Sequence, residues 1–123
     1  MSRAEPGQAR LLALRAISAV LDQGRVLTDT GLFDGARDAR DRAFARRLAY
    51  GVLRWLNALE WLADGLLDRP LRARDRDLQR LLLLGLQQLW HEDTAPHAAV
   101  HATAGCARSL GKPWAVGLIN GVL

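Results

Sequence analysis

The stretch from residue 76 to residue 90 constrains the fold more than any other part of the chain. It reads RDLQRLLLLGLQQLW, contains no β-branched residue and is longer than a typical strand, so a helix is favoured. At about 100° per residue, its apolar side chains cover well over a third of a helical surface. They are Leu78, Leu81, Leu82, Leu83, Leu86, Leu89 and Trp90. A helix that is apolar nearly all round is buried, and this one is too short to span a bilayer.

Two features of this predicted central helix concern its neighbours. Arg80 and Gln87 lie seven residues apart and mark its clear polar stripe. Gly85 costs about 1 kcal/mol relative to Ala in a helix interior, so we expect another backbone to cross close to it. The side chains that we expect to be most buried are Leu82, Leu86 and Leu89.

Length and charge limit the class of protein. The chain has 123 residues, of which 50% are apolar, and this indicates one folded domain over residues 1–123. Lysine and arginine total 17 against 13 acids, and Lys112 is the only lysine. An arginine-rich basic chain favours a polyanionic partner, which is RNA, DNA or an acidic protein, although genomic base bias gives the same composition. The N-terminus lacks the apolar core of a signal peptide, so the expected location is the cytoplasm, with no membrane partner.

The remaining sequence predicts helices joined by short turns. Thr28 or Asp29 would cap the second of them, and Asp38 or Asp41 the third. Whether the third and fourth helices are continuous or kinked near residue 56 stays open. The pattern predicts an all-α bundle of about seven helices. Their expected ranges are 6–22 from Pro6, 28–33, 38–56, 57–67, 76–90, 97–110 and 113 onward.

The third predicted helix separates an apolar face from an arginine-rich face. The residues expected to face the core are Phe44, Leu48, Gly51, Val52 and Trp55. The opposite face carries Arg42, Arg46, Arg47, Tyr50 and Arg54. Arginines bind phosphates with two parallel hydrogen bonds, and an aromatic ring among them offers a base a stacking surface. The alternative is a solvated face whose arginines pair with local acids.

Outside the third helix, one arginine has an unusual position and three others are candidate RNA contacts. Arg10 projects to the apolar side of the first helix, where its position near the helix start lets it reach outward. Arg72, Arg74 and Arg76 form a second basic cluster just before the central helix.

The sequence predicts no metal site, cofactor site or catalytic residue in this chain. His97 and His101 stand four apart, a zinc-binding spacing, but no third ligand is evident. Cys106 is the one cysteine, and its small apolar neighbours indicate packing rather than nucleophilic chemistry. No strand precedes a glycine-rich turn, so a nucleotide or S-adenosylmethionine pocket of the Rossmann kind is not predicted.

Five short motifs occur in the order and spacing of a known family. They are YGVLR at 50–54, RPL at 69–71, GLxQL at 85–89, PHAAV at 96–100 and LINGVL at 118–123. In these motifs the chain resembles the RsmB (Sun, Fmu) family of bacterial 16S rRNA cytosine-C5 methyltransferases. The resemblance covers their N-terminal domain, which is similar to the antitermination factor NusB. The sequence Asn-Gly-Val-Leu is shared with NusB itself, whereas YGVLR points to the methyltransferases.

The resemblance implies a seven-helix NusB-like fold that binds RNA, with 16S rRNA as the expected partner. Methyl transfer, S-adenosylmethionine and the catalytic cysteines then belong to a separate C-terminal domain, so the chain is expected to be a fragment of a longer enzyme. Arg10 and Arg54 match motif positions of the family, so the resemblance makes both of them candidate RNA contacts. Gln87 stands where the family usually has tyrosine, and Ala102 where an acidic residue is common.

Three functions remain open at the level of sequence. The first is the RNA-docking domain of an rRNA methyltransferase, with its own C-terminal domain as a second partner. The second is a free-standing antitermination factor of the NusB type. The third is a helical adaptor that binds an acidic protein. The sequence leaves open the oligomeric state, the RNA site and the arginines that contact phosphate.

Overall fold

The computed structural model describes residues 8–29 and 31–123, which form six α-helices and no β-strand. Within these residues, none of the helices has the length and apolarity needed to cross a membrane. The all-α prediction is confirmed, with six helices where about seven were expected. The predicted helix start at Pro6 lies outside the described residues. The helices are α1 Gln8–Gln23, α2 Ala39–Arg54, α3 Leu56–Leu66, α4 Arg76–His91, α5 Pro96–Ser109 and α6 Ala115–Val122.

The helix α4 is the buried centre of the fold. It contacts each of the other five α-helices, and one turn of 3-10 helix at Ala73–Asp75 leads directly into it. Every residue from 81 to 88 is buried, and residues 81–84 have no exposed surface. A helix without an exposed stripe in its middle is stable only when neighbours cover all its sides. The prediction of a central helix over this stretch is therefore confirmed.

The C-terminal half of α4 differs from the prediction. Gln87 and Gln88 are buried, whereas Trp90 is 52% exposed. The predicted polar stripe of Arg80 and Gln87 is thus wrong, as is the inward position of Trp90. The side chain of Arg80 is also mostly covered, at 15% exposure. The helix α5 packs against α4 and provides a hydroxyl partner for Gln88, so this side is buried despite its polar residues.

Gly85 marks a close approach between α4 and the residue that follows α6. A Cβ built on Gly85 would stand 2.5 Å from Cδ1 of Leu123. We expected a crossing backbone at this position. The close approach is instead made by a side chain, so the prediction was right about the crowding and wrong about its source.

An irregular segment follows α1. Gly24 has φ +71°, in the left-handed region that favours glycine, and ends α1 as predicted. The short helix predicted at residues 28–33 is wrong, because the described residues there form turns and Thr30 lies outside them. Oδ1 of Asp29 accepts a hydrogen bond from the backbone N of Gly31 at 3.1 Å. Local side-chain bonds of this kind compete with helical backbone bonds.

The helices α2 and α3 are separate and meet at Trp55. Oδ1 of Asp38 accepts from the backbone N of Asp41 at 2.8 Å and caps α2 as predicted. At Trp55 the backbone leaves the helical region, with φ −105° and ψ 22°, and α3 begins at Leu56. The sequence left open whether these two helices are continuous or kinked near residue 56, and the structure shows that they are kinked. The break also turns Trp55 outward to 39% exposure, so its predicted core position is wrong.

The last two helices begin close to their predicted positions. The helix α5 starts at Pro96, a residue suited to the first turn, and Gly111 with φ +75° follows its end. The helix α6 begins at Ala115, two residues after the predicted Pro113.

We expect Leu82→Ala to lower the free energy of unfolding by about 2–5 kcal/mol, because it removes buried methyl groups and leaves a cavity. Leu82 has no exposed surface, and Leu86 is 8% exposed, although Leu89 is only partly buried. Leu66→Ala on α3 is the control, since Leu66 is 49% exposed and its truncation should cost less than about 1 kcal/mol. Urea denaturation followed by circular dichroism measures both. A Leu82→Ala midpoint equal to that of the wild type would contradict the central position of α4.

Candidate nucleic-acid interface

The helix α2 turns one side to the core and five long side chains to solvent. Its buried residues are Ala45, Leu48, Ala49 and Val52. On the opposite side lie the exposed residues Arg42, Arg46, Arg47, Tyr50 and Arg54, which we call the arginine face. The helical period places the two sets on opposite sides of one cylinder. The predicted exposure of this face is confirmed, and its contact with RNA stays a prediction.

The arginines of this face differ in their acidic partners. Nε of Arg47 donates to Oε1 of Glu92 at 2.6 Å and joins α2 to the loop after α4. Among the ion pairs of the described residues, none includes Arg42, Arg46 or Arg54. The alternative of arginines neutralised by local acids therefore applies to Arg47 and not to the other three. Those three cations are available to a polyanion.

A cavity of about 210 Å³ lies between α2 and the turns before it. Arg42 and Arg46 line it together with Asp29 and Asp34. Asp29 accepts a hydrogen bond from Arg25 at 2.6 Å, and this bond lowers the pKa of the Asp29 carboxyl. Carboxylates repel an anion at short range, so this cavity is an unfavourable place for a phosphate.

Arg10 is turned inward, whereas the sequence predicted that it reaches outward. Its Nε donates to Oε1 of Gln88 at 2.7 Å, and its guanidinium carbon lies 5.2 Å from the ring centroid of Phe44. Burial lowers the pKa of Arg10. The guanidinium of Arg47 lies over the same ring, at 5.3 Å, so both arginines contact Phe44. The buried acceptor on α4 explains the inward orientation.

Gln88 connects three helices in the interior. Its Nε2 donates to Oγ1 of Thr103 on α5 at 2.9 Å and to the backbone oxygen of Leu84 at 3.1 Å, while its Oε1 accepts from Arg10 on α1. Both ends of the buried amide are thus satisfied, which a polar group without exposed surface requires. Arg10 therefore has a structural partner, and a contact of this residue with RNA remains a prediction.

The second basic cluster lies beside the 3-10 turn and is partly neutralised. Arg72, Arg74 and Arg76 are exposed, as predicted for a surface cluster. Nη1 of Arg76 stands 3.5 Å from Oδ1 of Asp22. A cavity of about 460 Å³ at this site is lined by both Asp22 and Glu60. These acids partly offset the positive charge of Arg72 and Arg76.

Sequence reasoning missed an aromatic cluster where α2 ends. The rings of Trp55 and His91 stack, with centroids 4.8 Å apart and planes 15° apart. Trp90 lies 4.3 Å from His91 and 5.8 Å from Trp55. The guanidinium carbon of Arg54 is 5.7 Å from the ring centroid of Trp55. We call Trp55, Trp90 and His91 the tryptophan cluster.

The signal in the sequence that could have indicated this cluster is the position of both tryptophans at the ends of predicted helices. Helical periodicity placed both tryptophans in the core, but each stands at the end of its helix. At Trp55 the backbone leaves the helical path, so the period no longer determines the direction of its side chain. Trp90 lies in the last turn of α4, where the neighbouring helices leave it half exposed.

The residues considered for metal binding and nucleophilic chemistry lie on α5. His97 and His101 are exposed, and the described residues contain no group of three potential metal ligands. Cys106 is 4% exposed, and its Sγ donates to the backbone oxygen of Ala102 at 3.4 Å. Burial raises the pKa of the Cys106 thiol to about 11, against a smaller opposite effect of Arg10. At neutral pH the thiol therefore stays protonated, which is the unreactive form.

The Cys106 thiol should make the protein less stable in alkaline solution. Its pKa is about 11 in the folded chain against an ordinary 9.0, so above pH 9 the unfolded chain loses a proton that the folded chain keeps. Unfolding becomes easier as pH rises from about 9 to about 11, by up to about 3 kcal/mol in total. Cys106→Ala removes this contribution.

Urea midpoints of the wild type and Cys106→Ala at about pH 8 and about pH 10.5 test the thiol effect. Other groups titrate in both proteins, so only the difference between the two midpoints reports Cys106. We expect this difference to shift in favour of the variant at the higher pH. A difference that does not change with pH would contradict the raised pKa.

Comparison with known proteins groups the chain with one family. The sequence pattern of the NusB family matches residues 7–123. The chain is 46% identical over 117 residues to the ribosomal RNA small subunit methyltransferase B of Pseudomonas putida, and 44% identical over 117 residues to that of Pseudomonas syringae pv. tomato. The protein of the same name from Yersinia enterocolitica is 42% identical over 116 residues. These alignments cover 93% of this chain and 26–27% of each relative, so the chain spans about a quarter of their length.

Proposed function

This chain belongs to the NusB family, and from that we propose that it is the RNA-binding domain of a small-subunit ribosomal RNA methyltransferase. The relatives that carry this name align with 93% of the chain at up to 46% identity, which supports the methyltransferase assignment. The proposed ligand is 16S rRNA, and the proposed role is to dock this substrate for a catalytic domain in the same protein.

The arginine face is the observation on which this proposal rests. Arg42, Arg46 and Arg54 project from one side of α2, are exposed, and have no acidic partner among the described ion pairs. Guanidinium groups bind phosphate through paired, charge-assisted hydrogen bonds. A row of three along a rigid helix can follow a nucleic-acid backbone, because the helix fixes their spacing.

We assign methyl transfer to another domain of the full-length protein. The relatives are about four times as long as this chain, since it covers 26% of the Pseudomonas putida protein. S-adenosylmethionine is proposed to bind in that other domain, which is also the proposed intramolecular partner.

A calorimetric titration of this chain with S-adenosylmethionine should detect no specific binding, because the cofactor site is assigned to the other domain. Specific micromolar binding to this chain would contradict that assignment.

The two other candidate functions are less well supported. A free-standing antitermination factor fits the NusB family, but the relatives named above are methyltransferases. An adaptor for an acidic protein fits the basic charge, but it does not explain a resemblance to enzymes that act on RNA.

The triple variant Arg42→Gln, Arg46→Gln, Arg54→Gln tests the arginine face. If each arginine contacts one phosphate of single-stranded RNA, the logarithmic slope of affinity against salt should flatten by about 0.7 for each, or roughly 2 in total. Arg47 is left unchanged because it pairs with Glu92. Fluorescence anisotropy with a labelled 16S rRNA fragment at several salt concentrations measures the slope.

A charge-matched control separates the arginine face from net charge. Arg15, Arg69 and Arg108 are exposed on α1, after α3 and on α5, and replacing them with glutamine removes the same three charges. This control should keep most of the salt slope. Equal binding by the wild type and the α2 triple variant would show that the arginine face is merely solvated, and Arg72, Arg74 and Arg76 would become the next candidates.

A further inference from the structure

The tryptophan cluster is an unusual surface for a basic protein of this size. Trp90 is 52% exposed and Trp55 39% exposed, and both rings contact His91 between the ends of α2 and α4. Large aromatic rings are normally placed where their area is removed from water. Two neighbouring indoles left at the surface therefore mark a site where another molecule covers them.

The cluster is held in place by a row of contacts between α2 and α4. Arg47 binds Glu92, Gly51 adjoins Gln87, and Trp55 stacks on His91, at every fourth residue along α2. Gly51 permits this proximity, because a Cβ there would lie 2.8 Å from Cδ of Gln87.

The ring of His91 is held from its own helix as well. Its Nδ1 lies 2.9 Å from Oε1 of Gln87, within hydrogen-bond distance. Trp55 is therefore stacked on a ring whose orientation is already fixed. The aromatic surface exists before any partner binds, so little ordering is needed at the moment of binding.

The charges around the cluster indicate what would cover it. Arg54 lies over the ring of Trp55 at 5.7 Å and has no acidic partner within residues 8–29 and 31–123. The acid nearest in sequence, Glu92, is already paired with Arg47 and is 10% exposed. Exposed flat rings beside cations match unpaired nucleotides, whose bases stack and whose phosphates are anionic. A duplex matches less well, because its bases are stacked on one another and cannot be reached.

We propose that the tryptophan cluster is a base-stacking site for single-stranded RNA, in which unpaired bases stack on Trp90 and on the face of Trp55 turned away from His91, while the Arg54 guanidinium leaves the indole to contact the adjoining phosphate. This inference rests on the proposed function and makes it more specific. The substrate segment that meets this end of α2 is unpaired, and the remaining arginines of α2 follow the same strand. The planes of the two indoles are 45° apart, so they offer two differently oriented faces to successive bases.

Tryptophan fluorescence tests the site without altering it. The sequence has four tryptophans, and Trp61 and Trp114 are exposed but form no ring contact with the cluster among the described residues. In the double variant Trp61→Phe, Trp114→Phe, all tryptophan emission comes from Trp55 and Trp90. A single-stranded RNA oligonucleotide should quench this emission, and a duplex of the same sequence at the same concentration should leave it nearly unchanged.

Substitutions measure the contribution of each ring. Trp55→Ala and Trp90→Ala should each weaken binding of the single strand by roughly 5- to 150-fold, because stacking is worth about 1–3 kcal/mol per base. The salt slope should change little. Trp55→Phe and Trp90→Phe keep an aromatic surface and should retain most of the affinity. Trp61→Ala and Trp114→Ala are the matched controls, which remove exposed tryptophans elsewhere and should bind as the wild type does.

The outcomes separate this inference from the proposed function. If the wild type binds RNA with a steep salt dependence, but the single strand does not quench Trp55 and Trp90, the base-stacking site is overturned and the arginine face stands. The same conclusion follows if Trp55→Ala and Trp90→Ala, folded by circular dichroism, bind as the controls do. If the wild type binds no RNA, the proposed function itself is overturned. Quenching by single strand and duplex alike also contradicts a site for unpaired bases.

Discussion

The complete burial of α4 is the constraint on which the rest of the structure depends. Its middle has no exposed stripe, so the five other helices must cover it from every side. Each surrounding helix then has one side committed to α4 or to its neighbours. Charged residues that cannot be buried are left to the outer sides, and on α2 this produces the arginine face. The location of the candidate interface is thus a consequence of how the core is built.

Two buried glutamines of α4, Gln87 and Gln88, orient other side chains of the structure. Gln88 has no exposed surface, so both ends of its amide need partners, and it obtains them from Arg10 and from a hydroxyl on α5. Gln87 lies against Gly51 and reaches the ring of His91. Gln88 thus holds the Arg10 side chain in the interior, while Gln87 orients the ring of His91. Replacing Gln87 or Gln88 by leucine would keep a side chain of similar volume but would lose the hydrogen bonds that orient His91 or Arg10.

Sequence reasoning recovered the features that depend on periodicity and missed those that depend on partners. The position of α4, the outward side of α2 and the glycine ends of α1 and α5 follow from local patterns, and all agree with the structure. Arg10 was misplaced because its orientation depends on Gln88, 78 residues away, and Gln87 because Gly51 of α2 lies against it, and no local pattern contains either contact. The turns before α2 were read as a helix because the side-chain bond of Asp29 was not considered.

The positions of Trp55 and Trp90 were not predicted from helical periodicity, and these two residues carry the argument about the ligand. A residue in the middle of a helix is placed by the period, so its exposure follows from the fold alone. Trp55 and Trp90 stand where helices end, and nothing in the packing of α4 requires indoles there. A polar residue at either position would remove exposed apolar area, although it would also lose the ring contacts with His91. We therefore attribute the exposure of these two rings to the proposed RNA ligand, whose bases have flat apolar faces. Arg54, which lies over Trp55 and has no acidic partner in the described part of the chain, favours a ligand that is also anionic, as the proposed nucleotides are.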